Sequence, residues 1–143
     1  MATWSTATTV HGTPESVLTV LTDPEACSRW SPVGFRLDEL EEPRLTTGSR
    51  ARVGGRFIGR DVGFDVEIVR ADERALELRA HGPIDIEARY DARAHGPATR
   101  IEASVSVRGG GLTGRVLARA AHGLLAAGAL DRALTRIAGE VAV

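Results

Sequence analysis

The chain has 143 residues, 18 basic and 19 acidic side chains, a net charge of −1 and a single cysteine. Every basic residue is arginine, and the sequence contains no lysine, asparagine or glutamine. This composition excludes lysine Schiff-base chemistry, a P-loop, a disulfide framework and a thiolate metal cluster, and it gives no net field that would hold a nucleic acid.

The length fits one domain over residues 1–143, large enough to have its own core. A hydrophobic content of 43% argues against disorder. The N-terminus has no basic region followed by an apolar stretch, and the longest strongly apolar stretch, residues 123–130, is too short to span a bilayer. We therefore expect a cytoplasmic protein that does not span a membrane.

The N-terminal part of the sequence predicts one strand and two short helices. Alternation over residues 4–10 is typical of a strand. Two helix starts follow, each with a capping residue, a proline and an acid: Thr13-Pro14-Glu15 and Asp23-Pro24-Glu25. The second helix is predicted to end near Trp30, because Ser31-Pro32 stops it.

From residue 35 to residue 107 the apolar residues recur with period two, which predicts antiparallel strands with one apolar face and one charged face. Tight turns are expected at residues 71–73, 81–83 and 95–97. The charged residues are interpreted as a solvated sheet face with opposite charges across strands. Arg50, Arg52 and Arg56 belong to this face, unless a bulge at Gly54-Gly55 turns Arg56 inward.

After Gly109-Gly110-Gly111 the pattern predicts one long helix over residues 112–141. Its apolar stripe comprises Val116, Ala120, Gly123, Ala127, Leu130, Leu134, Ile137 and Val141. The side chains in the first half of this stripe are mostly small, and those in the second half are large. Small residues would leave space between the helix and the sheet. Either the helix packs more closely on the sheet, or the space is an apolar cavity; we predict the cavity.

Three N-terminal motifs resemble a known family. They are His11-Gly12-Thr13-Pro14-Glu15-Ser16-Val17, Leu21-Thr22-Asp23-Pro24-Glu25-Ala26 and Ser28-Arg29-Trp30-Ser31-Pro32, followed by Gly48. They are similar to the N-terminal signature of the polyketide cyclase/dehydrase-like group of the START/Bet v 1 (SRPBCC) superfamily. The order of elements matches that superfamily over essentially the whole chain.

The resemblance implies an α+β helix-grip (Bet v 1-like) fold, a curved antiparallel sheet wrapped around a long C-terminal helix with two short helices after the first strand. It also implies an apolar cavity between sheet and helix for a polyketide, a lipid or an isoprenoid. Members of the superfamily include enzymes, carriers and receptors, so the resemblance does not fix the chemistry. No cofactor is expected.

Tyr90 and Arg119 are the candidate catalytic residues. Tyr90 lies at an inward strand position, and its phenol could donate a proton to an enolate or ketone oxygen, although a core tyrosine would show the same pattern. Arg119 falls beside the apolar stripe and could bind an oxygen anion at the cavity mouth, or it could extend into solvent. His122, which flanks the stripe, is a weaker acid/base candidate.

Two other sequence features are interpreted as structural. His11, His81, His95 and His122 lack metal-ligand spacing, so no metal site is predicted. Residues 109–114 match G-x-G-x-x-G, but the second parallel strand of a dinucleotide site would have to follow the helix, and the sequence given ends with that helix. This segment is therefore interpreted as a flexible turn.

The predicted ligand-binding side chains are the inward apolar positions and the small half of the helix stripe. They are Trp30, Phe35, Phe57, Phe64, Val66, Leu78, Ile86, Tyr90, Ile101, Ala120, Gly123 and Ala127.

Three functions remain open from the sequence. One, which the family resemblance favours, is a cyclase/dehydratase-like enzyme acting on a polyketide-type substrate. The second is a non-catalytic carrier of a lipid or isoprenoid, favoured by the scarcity of inward polar residues. The third is an interaction domain or homodimer that uses Leu124, Leu125 and Leu130, because these residues spread beyond one helix face.

Overall fold

The computed structural model describes residues 2–32, 35–40, 43–57 and 59–142, with only the backbone for residues 2, 57 and 142. Seven strands and four helices lie within these ranges. In chain order they are β1 (Ala2–Val10), α1 (Pro14–Leu21), α2 (Pro24–Trp30), β2 (Arg36–Leu40), β3 (Arg50–Phe57), β4 (Arg60–Ala71), β5 (Ala75–His81), β6 (Asp85–His95), β7 (Ala98–Arg108), α3 (Gly111–Ala126) and α4 (Ala129–Ala142).

The strands form one curved antiparallel sheet in the order β1-β7-β6-β5-β4-β3-β2, so the first two strands of the chain lie at opposite edges. The period-two prediction is confirmed, because the predicted inward residues form the core. The buried ones among them are Ile68, Leu76, Ala80, Ile84, Ala88, Tyr90, Ala92, Ile101, Ala103, Val105 and Val107. The three predicted turns also connect consecutive strands. This arrangement is the helix-grip fold.

Ion pairs between neighbouring strands cover the outer face of the sheet. Arg52 and Asp65 face each other on β3 and β4 with a nitrogen–oxygen distance of 2.7 Å, and Arg79 and Glu87 pair across β5 and β6 at 3.5 Å. These side chains are about half exposed or more, so each pair contributes at most ~1 kcal/mol. The prediction of a solvated charged face is confirmed here.

The two short helices begin as predicted because their capping residues satisfy free N–H groups. The Thr13 hydroxyl accepts a hydrogen bond from the Ser16 N–H at 3.1 Å, and the Asp23 carboxylate accepts one from the Glu25 N–H at 3.0 Å. Each helix has a proline in its first turn. Helix α1 thereby presents its buried apolar side chains to the core.

The C-terminal helix differs from the prediction of one helix over residues 112–141. It is interrupted between α3 and α4, where Gly128 has φ +94°. The Gly128 N–H donates to the Leu125 carbonyl at 3.1 Å, and Arg132 Nη1 donates to the Ala127 carbonyl at 3.0 Å, so the interruption has its own hydrogen bonds. A positive φ favours glycine because it has no Cβ.

The interruption changes the helical phase, and the predicted stripe is therefore wrong in α3. The buried residues of α3 are Gly114, Leu117, Ala118 and Ala121. Val116 is 54% exposed. In α4 the predicted positions Leu130, Leu134 and Ile137 are buried, which confirms the second half of the stripe. One continuous helical period cannot describe both segments.

We predict that Gly128→Ala lowers the free energy of unfolding by about 1–2 kcal/mol, because an L-residue is strained at this backbone conformation. Gly139→Ala is the matched control. Its added Cβ meets nothing within 4 Å inside α4, so it should raise stability by about 0.5–1 kcal/mol. Urea unfolding of both variants measures the difference. Equal effects of the two substitutions would contradict a positive-φ requirement at Gly128.

Candidate functional site

A cavity of about 220 Å³ lies between the inner face of the sheet and α3. Its lining is almost entirely apolar, and Arg56 is the one charged residue among the described residues that line it. Strands β2 to β7, helix α2, the C-terminal half of α3 and the start of α4 provide most of the wall. A space of this kind accommodates an apolar group with few polar contacts.

Contacts between α2 and α4 hold one end of the cavity wall in place. Arg29 and Glu140 form a two-pronged ion pair at 2.7 and 3.0 Å, and Arg136 Nη1 donates to the Ser31 carbonyl at 2.9 Å. The Arg29 hydrogen bond lowers the pKa of Glu140. These contacts fix the C-terminal end of α2 and with it the position of Trp30.

Trp30 and Tyr90 form an edge-to-face pair in the cavity wall. Their ring centroids are 4.9 Å apart with an interplanar angle of 75°, and each residue is 2% exposed. The buried Trp30 N–H has no hydrogen-bond acceptor in the described part of the chain. No hydrogen bond joins the Tyr90 hydroxyl to a described residue either. The wall therefore contains two donors without an acceptor in the described part of the chain, and this is costly for the fully buried Trp30 N–H.

Cys27 lies in the same wall and is held neutral. Its Sγ donates to the Leu21 carbonyl at 3.1 Å, and burial, reinforced by the charge of Asp23, raises its pKa to about 12. Burial also raises the pKa of Tyr90, with a smaller contribution from Cys27. Both groups are therefore protonated at neutral pH. Tyr90 can donate a hydrogen bond, whereas Cys27 is unsuited to act as a thiolate nucleophile.

The structure brings most of the predicted strand residues together at the cavity. Besides Trp30 and Tyr90, the predicted residues that line it are Phe35, Phe64, Val66, Leu78 and Ile86. The side chain of Phe57 lies outside the described part of the structure. The alternation of the strands thus indicates the cavity wall, because every second residue points to the inner face.

The predicted helix positions do not line the cavity. Gly123 and Ala127 are exposed and Ala120 is half-buried, since the phase of α3 differs from the predicted one. The helix residues that do line it are Ala121, Leu124, Leu125 and Ala129. Ile101 is fully buried, but it packs in the core and does not reach the cavity.

Arg119 and His122 also lie away from the cavity. Arg119 is exposed on the outer side of α3, so its predicted contact with a ligand oxygen at the mouth has no geometric support. His122 Nδ1 accepts a hydrogen bond from the Trp4 indole N–H at 2.9 Å. That bond joins α3 to β1 and occupies one ring nitrogen. We assign neither residue a role in the cavity.

Sequence reasoning missed the contribution of Arg56 and Leu37. Both belong to the lining, and both are exposed, so they lie where the cavity meets the surface. Arg56 was interpreted as a residue of the charged outer face, and β3 pairs with β4 without a bulge at Gly54-Gly55. The position of a residue at a rim is not encoded in strand alternation, because the rim depends on where the neighbouring elements end.

A second, more open depression of about 450 Å³ lies on the charged outer face. It includes the Arg52–Asp65 pair and residues of β2 to β5. Its lining includes three acidic and two basic residues, and most of its wall is exposed. We therefore take the smaller apolar cavity as the candidate functional site.

The fold and the apolar cavity define a helix-grip protein of the hydrophobic-ligand-binding type. The family model for polyketide cyclase / dehydrase and lipid transport matches residues 1–142. The chain belongs to this family, which confirms the family resemblance. Comparison with curated proteins gives no significant match.

Solved structures show the same fold at low sequence identity. A protein from Thermus thermophilus is 16% identical, with a TM-score of 0.70 and coverage of 98% of this chain and 97% of its own. The Bet v 1 allergen Ara h 8.0201 is also 16% identical, with a TM-score of 0.60 over 98% of this chain and 97% of that one.

DynU16, from the dynemicin biosynthetic locus, is 22% identical with a TM-score of 0.59. The match covers 95% of this chain and 45% of that one. At these identities the comparisons support the fold alone.

The described residues contain neither a membrane-spanning helix nor a metal-binding cluster. None of the helices there has the length and apolarity needed to cross a bilayer. No cluster of three or more His, Cys, Asp or Glu side chains there could hold a metal ion.

The missing lysines make the alkaline pH dependence of stability a direct test of the buried wall. Because the chain has one Cys, one Tyr and no Lys, these two are the side chains that titrate between pH 9 and pH 12 in the unfolded state. Their pKa is higher in the folded state, so the unfolded state releases protons first and stability falls as pH rises. We expect a slope approaching about 1.4 kcal/mol per pH unit for each group.

The slope, measured by urea unfolding across that pH range, should decrease in Cys27→Ala from pH 9 upward and in Tyr90→Phe from pH 10 upward. The slope of stability against pH is compared, and not the stability itself, because either substitution also changes packing. A wild-type stability that stays flat up to pH 11 would contradict burial of both groups.

Proposed function

We propose that this protein binds a small hydrophobic molecule of the polyketide type in the cavity and acts as a cyclase/dehydratase-like protein. The observation that carries the proposal is an apolar cavity whose wall contains the protonated, unpaired hydroxyl of Tyr90. An oxygen of the ligand would supply the acceptor that the described protein residues do not. Membership in the polyketide cyclase / dehydrase and lipid transport family supports this choice.

The chemistry of such a ligand fits the hydroxyl of Tyr90. In an aldol cyclisation an enol carbon of the substrate adds to a ketone carbon of the same molecule, and the ketone oxygen gains the proton that the enol oxygen loses. Negative charge develops on that ketone oxygen in the transition state, so a fixed O–H donor in an apolar cavity stabilises it. Loss of water from the resulting alcohol then gives the dehydrated ring.

A non-catalytic carrier of a lipid or isoprenoid is the second candidate function. The observation in its favour is that the described lining residues include no carboxylate and no histidine. A general base would therefore have to come from the substrate or from water, and binding needs none. The two functions share the cavity and differ in turnover.

We predict that filling the cavity abolishes binding of a neutral fluorescent probe, N-phenyl-1-naphthylamine. Ala121→Leu adds volume to the wall, whereas Ala126→Leu makes the same change on the exposed side of α3. Titration followed by fluorescence should show a dissociation constant at least tenfold larger for Ala121→Leu and unchanged for Ala126→Leu. Wild type without probe binding, or equal binding in both variants, would contradict the proposed site.

A ketone and its parent hydrocarbon test the role of the hydroxyl. We expect wild type to bind 1-tetralone about two- to tenfold more tightly than tetralin, because one neutral hydrogen bond contributes ~0.5–1.5 kcal/mol. Tyr90→Phe keeps the ring against Trp30 and should remove this preference. Calorimetry with both ligands measures it. A preference that survives in Tyr90→Phe would rule out the hydroxyl as the donor.

Turnover separates the enzyme from the carrier. A linear poly-β-ketone thioester, incubated with wild type and Tyr90→Phe, should cyclise faster with wild type and lose most of that acceleration in the variant. Binding without any acceleration by wild type would instead assign the carrier function.

A further inference from the structure

Helix α3 has a second face, turned away from the sheet, that combines exposed apolar and cationic side chains. Leu112 is 83% exposed and Val116 is 54% exposed. Arg115 and Arg119 are exposed on the same side, since Arg115 follows Leu112 by three positions and Arg119 follows Val116 by three. We call Leu112, Arg115, Val116 and Arg119 the outer face of α3.

This apolar exposure is unusual for the chain. Among the described residues, four large hydrophobic side chains are more than a third exposed. Leu37 and Leu124 are explained by the cavity that they line. Leu112 and Val116 have no such explanation, and they lie one helical turn apart. Contiguous exposed apolar side chains rimmed by polar ones mark interaction surfaces.

Charge is also segregated around this helix. Residues 103–130 contain Arg108, Arg115 and Arg119 and no aspartate or glutamate. None of these arginines takes part in an ion pair between described residues, although Asp85 lies opposite Arg108 in the sheet. The remaining sequence has 15 arginines and 19 acids and is therefore net −4. The segment that includes α3 thus carries a local excess of three positive charges.

We propose that the outer face of α3 docks on an anionic lipid surface. Guanidinium groups flanking leucine and valine suit the boundary between phosphate headgroups and acyl chains. The inner face of the same helix contributes Ala121, Leu124 and Leu125 to the cavity. Docking would therefore bring the cavity wall to a membrane, where apolar molecules are concentrated. This link to ligand uptake rests on the proposed function, whereas the docking itself does not.

Vesicle flotation tests the docking with the whole chain. We expect the protein to float with phosphatidylcholine vesicles in which a third of the lipid is replaced by phosphatidylglycerol, and to stay unbound with phosphatidylcholine alone. High salt should reduce binding, because the attraction between arginines and headgroups is screened. Failure to bind the anionic vesicles at low salt would overturn the proposal.

Two double variants and one matched control locate the surface. Arg115→Gln with Arg119→Gln should weaken binding about 25-fold, at about fivefold for each arginine near an anionic surface. Leu112→Ser with Val116→Ser should weaken it while leaving net charge unchanged. The control is Arg50→Gln with Arg74→Gln, which removes the same charge at exposed sites on β3 and the β4–β5 turn. Equal loss in the control would overturn the assignment to α3.

The cavity variant separates this proposal from the proposed function. Ala121→Leu should lose probe binding and keep vesicle binding, because its side chain is on the inner face. Loss of vesicle binding in this variant, with its helix content intact, would overturn docking through the outer face. Sedimentation velocity tests a homodimer as the alternative. If wild type is a dimer that does not bind vesicles, and Leu112→Ser with Val116→Ser dissociates it, the face is a dimer interface and lipid docking is overturned.

Discussion

The structure depends on covering the apolar inner face of a seven-stranded sheet with a helix whose two halves carry side chains of different size. Helix α4 fills its half with Leu130, Leu134 and Ile137, all nearly inaccessible to solvent. Helix α3 offers mostly Gly114, Ala118 and Ala121 to its half. Close packing requires matched volumes, so the sheet under α3 is left with a cavity. The site is therefore a consequence of side-chain size along one segment.

The polarity of that cavity depends on which polar side chains reach it. The sequence has no side-chain amide and no lysine amine, and of its 19 Ser and Thr residues Ser31 is the one that lines the cavity among the described residues. The arginines and acids of the strands alternate onto the outer face, where they pair with one another. The polar side chains in the wall are those of Cys27, Trp30, Ser31 and Tyr90, with Arg56 at the rim, and each of them can donate a hydrogen bond. Donors in a buried wall are better matched by a ligand that carries an acceptor, which is the basis of the proposed preference for a ketone oxygen.

The sequence predicts the strands and short helices well because their signals are local. Alternation along β4 to β7 has strong contrast between apolar and charged residues, and Thr13 and Asp23 cap their helices through atoms only a few residues away. Whether the Tyr90 hydroxyl and the Trp30 N–H have hydrogen-bond acceptors is not a local property. It depends on what surrounds Trp30 and Tyr90 from distant elements, so the sequence could nominate Tyr90 but not its unpaired state.

The phase of α3 was not predictable for a related reason. Its apolar pattern consists largely of alanine and glycine, which give little contrast between buried and exposed positions. Gly123 and Gly128 are both candidates for an interruption, and only Gly128 adopts a positive φ. Extending the strong α4 period backwards through that point placed Gly123 and Ala120 towards the sheet. Arg119 was assigned to the cavity mouth by the same extension.

The unequal anchoring of the two halves also indicates which wall of the cavity can move. Fully burying a leucine or isoleucine side chain contributes about 1.5–3 kcal/mol, so the three large residues of α4 hold it firmly. Of the large side chains in α3, Leu117 is the buried one, and its other buried positions are alanine or glycine. Separating α3 from the sheet therefore costs several kcal/mol less than separating α4. The break at Gly128 allows one half to shift while the other stays packed. For the proposed ligand we accordingly expect entry at α3, the helix that also carries the exposed Arg115 and Arg119.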